Sequence, residues 1–200
     1  MPTIASARPA LTAAAVLLVA AVGFADEPVG ARFDFEEPEL AGEWSTTACE
    51  AELSITRDPE NVCAGRGALE MTWDAAEGRL AILTVAPVVL EDRARSLRLS
   101  VKLGHQAPVM YGVREADGSS YQGYLYTPGG VWHDLAVDLS ELMLLEGSED
   151  ENGRLDVRQV NSIYVADLSN LPGEAGLSLG IEQGAQYMWL DNLELSDELA

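Results

Sequence analysis

The sequence predicts an all-β protein, a two-sheet antiparallel β-sandwich of the jelly-roll kind. Three observations carry that reading. Beyond the N-terminal thirty or so residues the apolar side chains recur with period two, and almost nowhere at the 3.6-residue period of a helix. The alternating runs are short. Gly-, Pro-, Asn- and Asp-rich segments such as RDPEN, EADGSS, TPGG and SNLPGEAG separate them.

Taken in order, the expected strands are ARFDFE, AELSIT, GALEMTW, RLAILTVA, SLRLSVKL, APVMYGVRE, SYQGYLYT, VWHDLAVDL, NSIYVADL, GLSLGIE and QYMWLDNLELS. LSELMLL reads as a single helical turn. Alternation assigns the faces, since successive side chains of a strand point to opposite sides. Leu97, Leu99, Val101 and Leu103 point inward, as do Val109, Tyr111, Val113, Tyr121 and Leu125. If these three strands are neighbours, one outer face carries Arg98, Lys102, Arg114, Tyr124 and Tyr126. Lys102 is the only lysine of the chain, so positive charge gathered on one face stands out. Aromatic rings offer flat apolar surfaces with polar edges, and Arg offers a planar fork for carboxylates or hydroxyls. The five residues are therefore the candidate ligand-binding surface for a polar, anionic partner.

The first residues carry one early positive charge, Arg8, then an Ala/Val/Leu-rich core, then small residues at Gly23 and Ala25. That is the layout of a secretory signal peptide over residues 1–25, with an apolar core shorter than the roughly 20 residues that span a bilayer. A single β-jelly-roll domain over residues 26–200 follows, expected to be secreted or periplasmic without membrane insertion after cleavage. With 33 acidic against 12 basic residues the formal net charge is −21. Such a surface repels nucleic acid and anionic lipid, which excludes both as partners.

Cys49 and Cys63 are the only cysteines. In an oxidising compartment an isolated pair is expected to form a disulfide; closing a loop of about fifteen residues stabilises by about 3 kcal/mol. The alternative is two buried thiols. SEDENGRLDVRQ echoes a calcium-binding EF-hand loop, but Ser148 stands at the first ligand position and Gln159 replaces the bidentate Glu, so a solvated turn is expected. Neither His105 nor His133 lies in a metal-ligand pattern, and no nucleophile elbow or phosphate loop is present.

FDFE near the start, AGRGALEMTW, DGSSYQGYLYTPGGVWHDLAVDLSEL and the closing MWLDNLELSD together resemble the galactose-binding-like jelly rolls. Within that group the chain is similar to family 11-type carbohydrate-binding modules and to the complex I intermediate-associated protein type domain. The resemblance implies a structural Ca²⁺ held by Glu36 of the first strand, Asp191 of the last and carbonyls of the turn from Gly65 to Gly67, with Asp34 as a second candidate. It also implies a non-catalytic module recognising extracellular glycans. The alternatives are a structural or assembly-type domain whose partner is a protein, and a polysaccharide lyase, as some jelly rolls are. For a lyase, His105, Arg114 and Tyr124 would have to meet, because proton abstraction beside a carboxylate needs a base and a charge neutraliser.

Overall fold

The computed structural model describes residues 32–75, 80–90, 92–170 and 184–200. The expected signal peptide and the expected strand GLSLGIE lie outside the described residues. The first sheet holds β1 (Arg32–Phe33), β3 (Ala51–Thr56), β4 (Ala68–Ala75), β6 (Ser96–Leu103), β9 (His133–Asp138) and β12 (Gly184–Ser196). Its order is β3-β4-β12-β6-β9, with β1 also on β12. The second sheet holds β2 (Trp44–Thr47), β5 (Ala81–Val85), β7 (Ala107–Glu115), β8 (Ser120–Thr127), β10 (Met143–Leu144) and β11 (Val160–Asp167), in the order β10-β8-β7-β11-β5-β2. All pairings are antiparallel. The expected helical turn is a 3-10 turn at Leu139–Glu141. No helix among the described residues is long and apolar enough to cross a membrane.

The inward sets follow the alternation. Leu97, Leu99, Val101 and Leu103 of β6 face Val109, Tyr111 and Val113 of β7 within one buried core. One expectation fails. β6 is not beside β7 and β8: the chain crosses at residues 104–106 from one sheet to the other. Consecutive amphipathic strands can bury their apolar faces by pairing edge to edge or by facing one another across the core. Both arrangements produce the same alternation, so the pattern cannot tell them apart.

β12 changes parity partway along. Met188 and Leu190 point inward, then Leu193 and Leu195 do, because the register with β6 shifts between Asp191 and Glu194 and Asn192 takes φ of 49°. A single inserted residue of this kind re-aims everything after it. Asp191 falls just before the shift, on the outer side of the first sheet opposite Ser100.

The expected disulfide is also corrected. Cys49 lies just before β3, whose Ala51 pairs with Trp73, and Trp73 pairs in turn with Gln186 of β12. Cys63 lies at the other end of the same strands, its amide donating to Asp191. The five residue steps from Gln186 to Asp191 put the two ends about 17 Å apart at the rise of a strand. A disulfide needs Cα atoms within about 7 Å. The pairing therefore does not form in this fold.

Candidate functional site

The outer face of the second sheet is a grid fixed by register. Gln122 of β8, Gly112 of β7 and Tyr164 of β11 form one row. Tyr124, Met110 and Ala166 form the next, while Ser120, Arg114 and Ser162 flank the first row on its other side. Tyr126, the next outward residue of β8, pairs with Pro108. Tyr124 and Tyr126 are 49% and 54% exposed, on the stretch of β8 that runs beyond its pairing with β10, and Arg114 is exposed beside them. Gln122 is buried, and its amide nitrogen donates to the Tyr124 hydroxyl. Its Oε1 has no hydrogen-bond partner among the described residues.

Gly112 makes the grid possible. A Cβ there would meet the Tyr121 carbonyl and lie 2.7 Å from the Tyr164 hydroxyl, so the bare backbone lets the Tyr164 ring cross over β7. The Tyr164 hydroxyl donates to the Tyr121 carbonyl at 3.3 Å. Burial pushes its pKa up to about 12; Arg114 opposes the rise and Tyr124 adds to it, as neighbours in one electrostatic environment do. The Arg114 Nε donates to Ser120 Oγ at 3.1 Å, which steadies the guanidinium without neutralising it.

Arg114, Tyr124 and Tyr126 thus share a face as expected, whereas Arg98 and Lys102 stand on the outer face of the opposite sheet. There Arg98 pairs with Glu198 and donates to the Leu199 carbonyl. Lys102 is buried. Its Nζ donates to the Glu60 carbonyl at 2.7 Å and to Asn61 Oδ1 at 2.9 Å, and lies 5.0 Å from the Trp189 ring centre. It pins the β3–β4 connection over the sheet and offers nothing to a ligand. His105 does not reach Arg114 either. It sits before β7, with Nε2 2.9 Å from Asp167 Oδ2, while Arg114 is near the far end of that nine-residue strand. The three groups a lyase would need are not assembled.

Glu36, three residues past β1, meets the turn at Arg66, and Asp191 of β12 meets the segment just ahead of it, at Cys63 and Ala64. What they hold there is backbone. Asp191, with no exposed surface, accepts from the Cys63 and Ala64 amides at 3.0 and 2.9 Å through Oδ2 and from Asn192 at 2.8 Å through Oδ1. Glu36 accepts the Arg66 amide at 2.7 Å through Oε1 and the Arg66 Nε at 3.2 Å through Oε2. Asp34 is exposed and accepts the Glu36 amide. Every oxygen of Glu36 and Asp191 faces an N–H donor, so the two carboxylates clasp the backbone from Cys63 to Arg66. Burial raises the Asp191 pKa, partly offset by the three amides, and the Glu36 charge raises it further.

A different acidic group could hold a cation. Oxygens of Glu115, Asp117 and Asp150 lie within 4.8 Å of one another at the tip of the β7–β8 hairpin. The Tyr121 hydroxyl donates to Asp150, which lowers the Asp150 pKa and, with burial as the larger cause, raises that of Tyr121. Local spacing could not reveal this group, because Asp150 comes from a separate turn.

No protein-family model and no curated protein sequence matches the chain. Solved structures do. A family 11 carbohydrate-binding module from Clostridium thermocellum, solved with a β-1,3-1,4-mixed-linked tetrasaccharide, superposes with a TM-score of 0.60 at 15% identity, over 86% of this chain and 99% of that one. The family 11 module of the C. thermocellum cellulosomal cellulase Lic26A-Cel5E gives 0.58 at 14% identity, over 86% and 96%. An exo-β-agarase gives 0.59 at 13% identity, matching 84% of this chain but a quarter of the longer enzyme, 25%. At these identities the likeness speaks to fold, and the chain has the β-sandwich fold of the family 11 carbohydrate-binding modules.

Proposed function

We propose that the protein is an exported, non-catalytic glycan-binding module whose ligand lies across β8 and β7 on the outer face of the second sheet. The observation that carries this is the pair of exposed tyrosines at successive outward positions, with Arg114 beside them and the buried, partnerless Gln122 Oε1 beneath. Rings that keep a face in water suit the apolar faces of sugars, and an acceptor without a donor suits a sugar hydroxyl. The shared fold with modules solved in complex with oligosaccharide supports the same reading. Arg114 favours acidic polysaccharides over neutral ones, since a guanidinium pairs carboxylates in bidentate fashion.

Titrating the full-length mature chain with a panel of soluble neutral and uronic-acid polysaccharides tests this. Tyr124→Ala and Tyr126→Ala should each weaken binding about tenfold, the loss of about 1.4 kcal/mol expected of a central aromatic contact. Arg114→Ala should weaken binding of the acidic polymers more than the neutral ones. Affinity for no glycan, with a protein partner co-purifying instead, would transfer the chain to the interaction-domain reading.

We also propose that the cation suited to Glu115, Asp117 and Asp150 is Ca²⁺, a hard ion that takes carboxylate oxygens in flexible geometry. Calcium at a hundredfold excess over its dissociation constant should then stabilise the fold by about 2.7 kcal/mol. Glu115→Gln should remove that response. A melting temperature indifferent to both calcium and chelator in the wild type would count against an ion here.

A further inference from the structure

Beside the hairpin tip, between the open edges of the two sheets, lies a cleft of about 610 Å³. Its size is that of small-molecule sites, roughly 300–1,000 Å³. The floor is aliphatic: Leu139 and Leu142 are buried, and Leu155 and Val157 close one side. The aromatic platform a sugar would need is missing from this lining, since its one ring, Tyr121, is 3% exposed and its hydroxyl is engaged by Asp150.

Two arginines line the same cleft from separate segments, Arg95 just ahead of β6 and Arg154 from the turn before Leu155. In a chain with 33 carboxylates to 12 basic residues, a guanidinium ordinarily finds a partner. Arg57, Arg66, Arg98, Arg114 and Arg158 do, and outside the cleft the exception among the described residues is the exposed Arg32 of β1. Among the described residues, the side chains of Arg95 and Arg154 have neither a hydrogen bond nor an ion pair. The open polar capacity of the cleft is thus these two guanidinium groups and the Ser140 hydroxyl, above an apolar floor.

We propose that this cleft is a second binding site, for an aliphatic monocarboxylate whose chain lies on the leucine floor and whose carboxylate is held by Arg95 and Arg154. It is independent of the glycan reading, since the two sites share no residue. Isothermal titration of the full chain with decanoate, decanol and a neutral oligosaccharide tests it. Decanoate should bind, and decanol at least tenfold more weakly. Arg95→Gln and Arg154→Gln, both exposed and expected to fold, should each cost decanoate about tenfold and leave decanol unchanged. Leu155→Trp, filling the cleft, should abolish decanoate binding with glycan binding intact. Equal binding of decanoate and decanol, indifference to both arginine variants, or no binding of decanoate would overturn the proposal. Tighter binding of an apolar peptide with a free terminal carboxylate than of decanoate would also overturn it, in favour of a protein chain end.

Discussion

Asp191→Ala should lower the stability of the fold by about 3 kcal/mol, because it leaves three part-buried amide donors without an acceptor and each such orphan costs about 1 kcal/mol, the low end of the range for a buried group. Against a total stability of about 5–15 kcal/mol that is a large share, read as a fall of about 10 °C in melting temperature. If the carboxylate clasps backbone and not calcium, chelator should lower the melting temperature of Asp191→Ala by as much as that of wild type. A melting temperature that falls with chelator in wild type and not in Asp191→Ala would restore the ion to this place. The charge state gives a second readout. Burial raises the folded pKa of Asp191 above its unfolded value, so its contribution is full below the unfolded pKa and declines as pH rises through the folded one. The advantage of wild type over Asp191→Asn should therefore be wider in acid than at neutral pH, where an ion-bound carboxylate would behave the opposite way.

The strands themselves were legible because alternation is a local property: SLRLSVKL, APVMYGVRE and SYQGYLYT are β6, β7 and β8 residue for residue. WSTT and the two-residue β10 were missed, as runs too short to display a period. Sheet membership was not legible, since it depends on which edge a strand meets after its turn. That one ambiguity split the expected surface, taking Lys102 and Arg98 away from Arg114. Two further members of the face could have been read. Alternation in NSIYVADL sets Tyr164 opposite in parity to the buried Ile163 and Val165, and a glycine in mid-strand, as Gly112 is, marks a close approach. Contacts between Asp191 and the Cys63–Ala64 amides span more than 120 positions. Their place came from resemblance; what they bind there needed coordinates.

Lys102→Met separates a ligand-binding cation from a structural one, and the expected result is loss of stability with glycan affinity unchanged. Methionine keeps the apolar stem along Trp189 but removes the ammonium, with its bonds to the Glu60 carbonyl and Asn61 and its place against the Trp189 ring. Hydrogen bonds to a charged group are worth about 1.5–3 kcal/mol and a partly desolvated cation–π contact about 1, but the freed acceptors regain water because they sit in an exposed loop. The net cost should be about 2–3 kcal/mol. Only stability should respond, since Lys102 lies on the first sheet and the tyrosine face on the second. The β3–β4 connection should also become more open to proteolysis, because that lysine and Asp191 both tie it to the sheet beneath. Combined with Asp191→Ala, the substitution should cost less than the two separate losses added together, as groups holding one segment do. A weakened affinity for polysaccharide at unchanged stability would instead return Lys102 to a binding site.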